Sequence, residues 1–120
     1  MSCEPAFDYN RALTNWEYSG PAYGEAVATA VKSDAHTPTL KITTDLRLGL
    51  EGREARARTR LVEGDAKFVA LSWSSQPAPQ TFDEASKKMW STSECWRQWI
   101  NIGTFPDHPW RTHLQRSALT

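Results

Sequence analysis

Apolar and polar positions change period once along this chain, close to residue 80. After it, Phe82, Ala85, Met89, Trp96, Trp99 and Ile100 recur at three- and four-residue steps, which predicts one broad apolar face on a helix over 81–102. Thr81 with Glu84 three positions later has the capping-box spacing, and Asp83 and Glu84 suit the positive end of the helix dipole. Trp90 falls beside that face, among Lys87, Glu94 and Arg97, where an amphipathic ring suits an interface between two structural units. Gly103, with Pro106 behind it, stops the helix. Asp107 or His108 then caps a second helix with Pro109 in its first turn, and Trp110, Leu114 and Ala118 carry it on with no stop signal. A helix still running at Thr120 predicts a piece of a longer polypeptide, with most of the function carried beyond that residue.

Before residue 80 the period is two. Residues 3–9 and 14–18 read as two short strands with 10–13 as the turn between them, and 25–32, with Val27, Thr29 and Val31 among small residues, as a third strand whose alanines also suit a helix. A polar turn over 33–38 leads to the clearest strand, where Leu40, Ile42, Thr44, Leu46 and Leu48 face a core while Lys41, Thr43, Asp45 and Arg47 face water. Gly49 and Gly52 bracket the next turn, and Glu54, Arg56, Arg58 and Arg60 then alternate with Ala55, Ala57, Thr59 and Leu61. After a turn at Glu63, Gly64 and Asp65, residues 67–73 hold Phe68, Val69, Ala70 and Leu71 with little polar surface on either face, which predicts a strand central in its sheet. Residues 74–80, with Pro77 and Pro79, form an extended linker. Strands followed by helices indicate separate units rather than an alternating parallel sheet.

Composition narrows the function classes. Fourteen lysines and arginines balance fourteen aspartates and glutamates, so no net field steers the chain toward nucleic acid or an acidic membrane surface. No apolar run is long enough for a membrane span, and the start lacks the basic and apolar regions of a signal peptide. Cys3 and Cys95 stand far apart without ligand spacing, which predicts free thiols and a cytoplasmic setting.

Candidate chemistry is sparse. Phosphate-loop, Cys-x-x-Cys, His-Glu-x-x-His and Gly-x-Ser-x-Gly patterns are absent. His36 lies in a turn beside Asp34, while His108 and His113, five apart, do not share a helix face; all three read as surface or capping residues rather than metal ligands. Glycoside hydrolysis needs two carboxyl groups roughly 5 to 9.5 Å apart. Glu51 with Glu54 lies around a turn, Asp83 with Glu84 is explained by capping, and Glu94 sits on a polar flank, so each carboxylate has a structural reading. The arginine row of Arg56, Arg58 and Arg60 reads as the solvated face of a strand, since no aromatic residue is interleaved with it. Trp96 and Trp99 read as packing residues, whereas Trp90 and Trp110 remain open to sugar stacking.

The chain resembles the family-15 glycoside hydrolases, the glucoamylase and bacterial trehalase group, at the junction of their N-terminal β-sandwich with their (α/α)6-barrel catalytic domain. The likeness rests on Cys3-Glu4-Pro5-Ala6-Phe7-Asp8-Tyr9, Thr81-Phe82-Asp83-Glu84, Trp96-Arg97-Gln98-Trp99, and the run from His113 through Leu114, Gln115, Arg116, Ser117, Ala118 and Leu119 to Thr120. It implies a mainly β plus α chain. Residues 1–75 would be strands of a partial antiparallel sandwich, 76–80 a linker, 81–103 a linker helix, and 107–120 the start of the barrel. The resemblance further implies inverting hydrolysis of an α-glucosidic bond, in trehalose or a related α-glucoside, with both catalytic glutamates in barrel loops downstream of the matched region. No catalytic, cofactor-binding or metal-ligating residue is thus expected in this chain. Its expected partner is the missing barrel of the same polypeptide, with an α-glucoside as substrate of the intact enzyme and neither nucleic acid nor membrane. The alternative is a small independent carbohydrate-binding β-sandwich module. An incomplete sandwich would leave an uncovered apolar face and unpaired strand edges, which predicts self-association.

Overall fold

A computed structural model describes residues 1–31, 39–73 and 77–117. The expected turn over 33–38 with His36, the first part of the linker (74–76) and the last step of the second helix at Ala118 lie outside those residues. The chain divides into two compact units, Met1–Ala85 and Ser86–Thr120.

Among its described residues the first unit holds seven strands: β1 (Ser2–Cys3), β2 (Thr14–Tyr18), β3 (Glu25–Ala30), β4 (Leu40–Thr44), β5 (Gly49–Glu51), β6 (Glu54–Arg56) and β7 (Val69–Trp73). They form two antiparallel sheets, one of four strands in the order β2-β3-β4-β7 and one of three in the order β1-β6-β5. The shared core draws on both: Trp16, Ala26, Ala28, Leu40 and Ile42 from the larger sheet meet Leu48, Ala55 and Ala57 from the β5–β6 side. Two hydrogen bonds tie the layers, from Trp16 Nε1 to the Arg53 carbonyl at 3.0 Å and from the Tyr18 hydroxyl to the Leu48 carbonyl at 3.0 Å. The architecture is an open β-sandwich followed by helices, as the sequence predicts. In β3 the alanines face inward and Val27 and Thr29 lie on the other side, so a helix-forming composition serves as a thin central strand.

Several element boundaries differ from the sequence reading. Within 3–9 only Cys3, the end of β1, is strand; Asp8, Tyr9 and Asn10 all adopt positive φ (49°, 55° and 68°), and the turn is closed by the Arg11 amide on the Asp8 carbonyl at 3.1 Å. Strand β4 ends at Thr44 instead of reaching residue 48, because the Thr44 hydroxyl accepts from the Leu46 amide at 3.1 Å and bends the chain, although Leu48 still reaches the core. The wet face of β4 is also partly dry: Thr43 is buried, and Lys41 pairs with Glu25 at 2.7 Å. Gly49 lies in a strand rather than a turn; the hairpin turn is Gly52-Arg53, where Gly52 takes the φ of 57° that favours glycine.

The central position expected for residues 67–73 is wrong. Among the described residues strand β7 is at the edge of its sheet, paired with β4 alone. Opposed residues in an antiparallel pair share a face, and the register places Trp73 beside Leu40, Leu71 beside Ile42 and Val69 beside Thr44. Val69, Leu71 and Trp73 therefore point to the core side, yet they are 44%, 58% and 54% exposed while Leu40 and Ile42 are buried. These three side chains are left largely uncovered among the described residues, although Trp73 stands edge-on to the core residue Phe7 with ring centroids 6.5 Å apart.

Helix α1 (Phe82–Ile102) begins as the sequence predicts: the Glu84 amide donates to Thr81 Oγ1 at 3.2 Å. The returning bond goes one residue further back than in a standard box, from the Gln80 amide to Glu84 Oε2 at 2.8 Å. In the second unit, helix α2 (Arg111–Ser117) follows a turn in which the Trp110 amide donates to His108 Nδ1 at 3.2 Å. Neither helix buries a residue, so their apolar faces are unpartnered among the described residues.

Candidate functional site

The β5–β6 hairpin brings together the only carboxylate pair that the sequence placed around a turn. Register sets Glu51 directly opposite Glu54. Both carboxylates converge on Arg56, Glu51 through a 3.4 Å ion pair and Glu54 through a charge-assisted hydrogen bond to Nε. The Arg56 bond holds the Glu54 carboxyl below its ordinary value, helped by the Arg56 charge and by a bond from the Ser2 hydroxyl, against a smaller opposing effect of desolvation. A glycosidase acid must keep its proton near neutral pH. Glu54 is tuned the other way.

A stability consequence follows from that sign. The folded carboxyl titrates below the unfolded value of 4.5, so its contribution is fully present above that pH and is lost as pH falls through the lower folded value. Urea midpoints measured at pH 6 and pH 3.5 should drop less for Glu54→Gln than for the native chain. Equal drops would remove Glu54 from the acid response.

The remaining candidates separate in space. Glu84 is occupied by capping, and Glu94 accepts from Gln98 Nε2 at 3.3 Å and lies 3.9 Å from Arg97. His108 caps the turn before α2 and stands edge-on to Trp110, with ring centroids 6.2 Å apart; His113 is exposed on α2. Among the described residues no three His, Cys, Asp or Glu side chains group as a metal site would require. Arg56, Arg58 and Arg60 are all exposed, and Arg47 and Arg58 join Arg56 around an open cleft of about 730 Å³. Arg56 is neutralised by the two glutamates and Arg47 stacks 5.0 Å over Tyr23; the strand expected to carry the row ends at Arg56, so Arg58 and Arg60 lie beyond β6 as exposed residues rather than on a strand face.

Sequence reasoning did not single out a second cleft, of about 360 Å³, at the end of the four-stranded sheet. Glu25, Thr43, Asp45, Arg47 and Gln80 line it. Asp45 accepts from the Phe68 amide at 3.1 Å and faces Lys67 at 3.5 Å, and Glu25 is committed to Lys41. Those two carboxylates are thus committed to neighbouring strands, whereas the buried Thr43 hydroxyl has no hydrogen-bond partner among the described residues.

The tryptophans of α1 are all exposed. Trp96 and Trp99, read from the sequence as packing residues, stand edge-on with centroids 5.8 Å apart and are each 47% exposed. Trp96 also lines a shallow hollow with Ser93, Arg97 and Ile100. Trp90 and Trp110 are more open still. Cys3 and Cys95 are both free; burial pushes the Cys3 thiol up, and Cys95 is exposed. No helix among the described residues is long and apolar enough to cross a membrane.

Comparison with known proteins finds two relatives of the whole chain. The chain is 72% identical over its whole length to the trehalase of Mycolicibacterium smegmatis, and 72% identical over its whole length to the trehalase of Mycobacterium tuberculosis. It spans 18% of each relative. No family model and no solved structure matches it. The similarity supports the trehalase side of the resemblance drawn from the sequence, with the chain corresponding to one segment of a much longer enzyme.

Proposed function

We propose that this chain is the non-catalytic junction segment of a trehalase-like inverting α-glucosidase. The observation that carries the reading is the 72% identity over the whole length of the chain with proteins of which it makes up 18%. The geometry supports it: the one converging carboxylate pair is locked on Arg56 and Glu54 titrates low, so the acid and base that hydrolyse the α-glucosidic bond would come from the rest of the polypeptide. The segment's work is structural. Its sandwich strands supply a platform, and the unpartnered face of α1, with Met89, Trp96 and Trp99 exposed, supplies the surface on which the catalytic barrel would pack. Helix α2 would be the opening of that barrel. Two free cysteines suit a cytoplasmic setting.

Glucose release from trehalose tests this reading directly. The 120-residue chain should release none, while the full-length polypeptide carrying it should be active; release by the short chain alone would overturn the assignment. A second reading, a sugar-binding module, rests on the exposure of Trp90 and Trp110. Neither ring sits over a cleft whose polar groups are free to hold sugar hydroxyls, and tryptophan fluorescence should not change as trehalose is titrated into the chain.

A further inference from the structure

We propose that the cleft at the end of the four-stranded sheet is a binding site for a neutral polyhydroxylated ligand of monosaccharide size. Its volume of about 360 Å³ falls in the range of pockets that hold small molecules. It lies within the first unit, between a rim over 21–25, the end of β4 with the bend after it, and Gln80.

Two observations point to a ligand. Thr43 lines the cleft and is 2% exposed, yet its hydroxyl has no hydrogen-bond partner. Leaving a buried hydroxyl unpaired is costly, so an orphan beside a polar cleft marks a missing partner. The rim, in addition, is held in a costly backbone conformation. Ala22 and Tyr23 adopt positive φ (63° and 59°), and Gly24 lies so close to β4 that a Cβ there would meet the Thr44 carbonyl at 2.6 Å. That conformation is fixed by the Thr44 amide on the Gly24 carbonyl and the Leu48 amide on the Tyr23 carbonyl, each at 2.9 Å. Strained non-glycine backbone persists where its surroundings over-determine it, and ligand clamps are among such places.

The lining selects the class of ligand. Glu25 and Asp45 keep acceptor capacity beyond their bonds to Lys41, Lys67 and the Phe68 amide, because a carboxylate offers about four lone-pair sites. Arg47 and Gln80 supply donors on the other side. Interspersed donors and acceptors match vicinal hydroxyls, which do both. The two carboxylates repel a phosphate or a carboxylate, while Lys41, Lys67 and Arg47 leave no net negative charge to draw in a cation. Pro21, Ala22 and Leu46 supply an apolar patch for the C–H face of a sugar ring. The Thr43 oxygen is itself covered, so the ligand engages it after a turn about χ1 that exchanges hydroxyl and methyl.

Hydrogen exchange of the full-length polypeptide, followed peptide by peptide as D-glucose is titrated, tests this cleft apart from any other sugar site in the molecule. Glucose release is a separate readout, so a polypeptide that hydrolyses no trehalose would still report on the cleft. Peptides covering 20–25 and 43–47 should gain protection that saturates. Gln80→Ala, at an exposed position, should weaken the apparent affinity in those peptides by about two- to tenfold, the loss of one hydrogen bond. Thr43→Val should weaken it by a similar factor while raising the urea midpoint, because an unpaired hydroxyl is removed. Trp90→Ala should leave the protection unchanged. The proposal is overturned by an absence of protection at these peptides, or by protection lost with Trp90→Ala but not with Gln80→Ala. It is equally overturned by protection from inorganic phosphate in place of glucose, or by a Thr43→Val protein that is stabilised with its affinity unchanged.

Discussion

Trp16→Ala is expected to lower the unfolding free energy by about 3 to 5 kcal/mol, the range for removing a buried aromatic side chain. The indole is 7% exposed within the core that both sheets share, and its Nε1 donates across the layers to the Arg53 carbonyl at 3.0 Å. Alanine forfeits the ring contacts and leaves that carbonyl without its partner in one step. Trp16→Phe separates the two contributions: it keeps most of the apolar bulk, loses the hydrogen bond, and should cost only about 1 to 3 kcal/mol. Urea unfolding followed by circular dichroism measures both. A loss below about 1 kcal/mol for Trp16→Ala would mean that the two sheets do not depend on this contact.

Ile42→Ala should have a comparable effect, about 2 to 5 kcal/mol, against about 0.5 to 1.5 for Ile42→Val. Ile42 is fully buried at the centre of the four-stranded sheet. The informative contrast is with Leu71, its directly opposed neighbour on β7, which is 58% exposed. In dilute, monomeric protein Leu71→Ala should cost less than half as much as Ile42→Ala, although the side chains are of similar size and share a face. Equal losses in a calorimetric comparison would show that β7 is covered, contrary to the open side of the sandwich.

The same pair of residues shows why the sequence was legible in some places and not in others. Leu40 and Ile42 alternate with polar residues, so their buried side could be read from the period alone. In β7 both faces are largely apolar, and periodicity cannot distinguish a strand buried on both sides from one whose core-side residues lack a cover. Only the sheet order decides. The helix over 81–102 was legible because its start depends on a local hydroxyl and carboxylate. Residues 3–9 were misread because a run of three positive-φ residues at Asp8, Tyr9 and Asn10 has no glycine to announce it. The candidate site was legible mainly as a set of residues with other occupations: Glu54 and Glu51 hold Arg56, Glu84 caps a helix, and His108 closes a turn. The polar cleft beside Thr43 was missed because Glu25, Asp45 and Gln80 come from segments far apart in the chain and share no spacing pattern.

The thinness of β3 also bears on how this sequence can drift. Ala26, Ala28 and Ala55 have no exposed surface and sit in the core where the two sheets meet. An enlarged side chain there would need the layers to part, and close-packed interiors resist that separation. The large residues around them have smaller apolar substitutes that leave only a cavity, whereas these alanines have glycine alone below them in size. Mutational freedom in this core is therefore narrowest at its smallest side chains, and lineages carrying the segment would explore Ile42 or Leu48 long before they could explore Ala28.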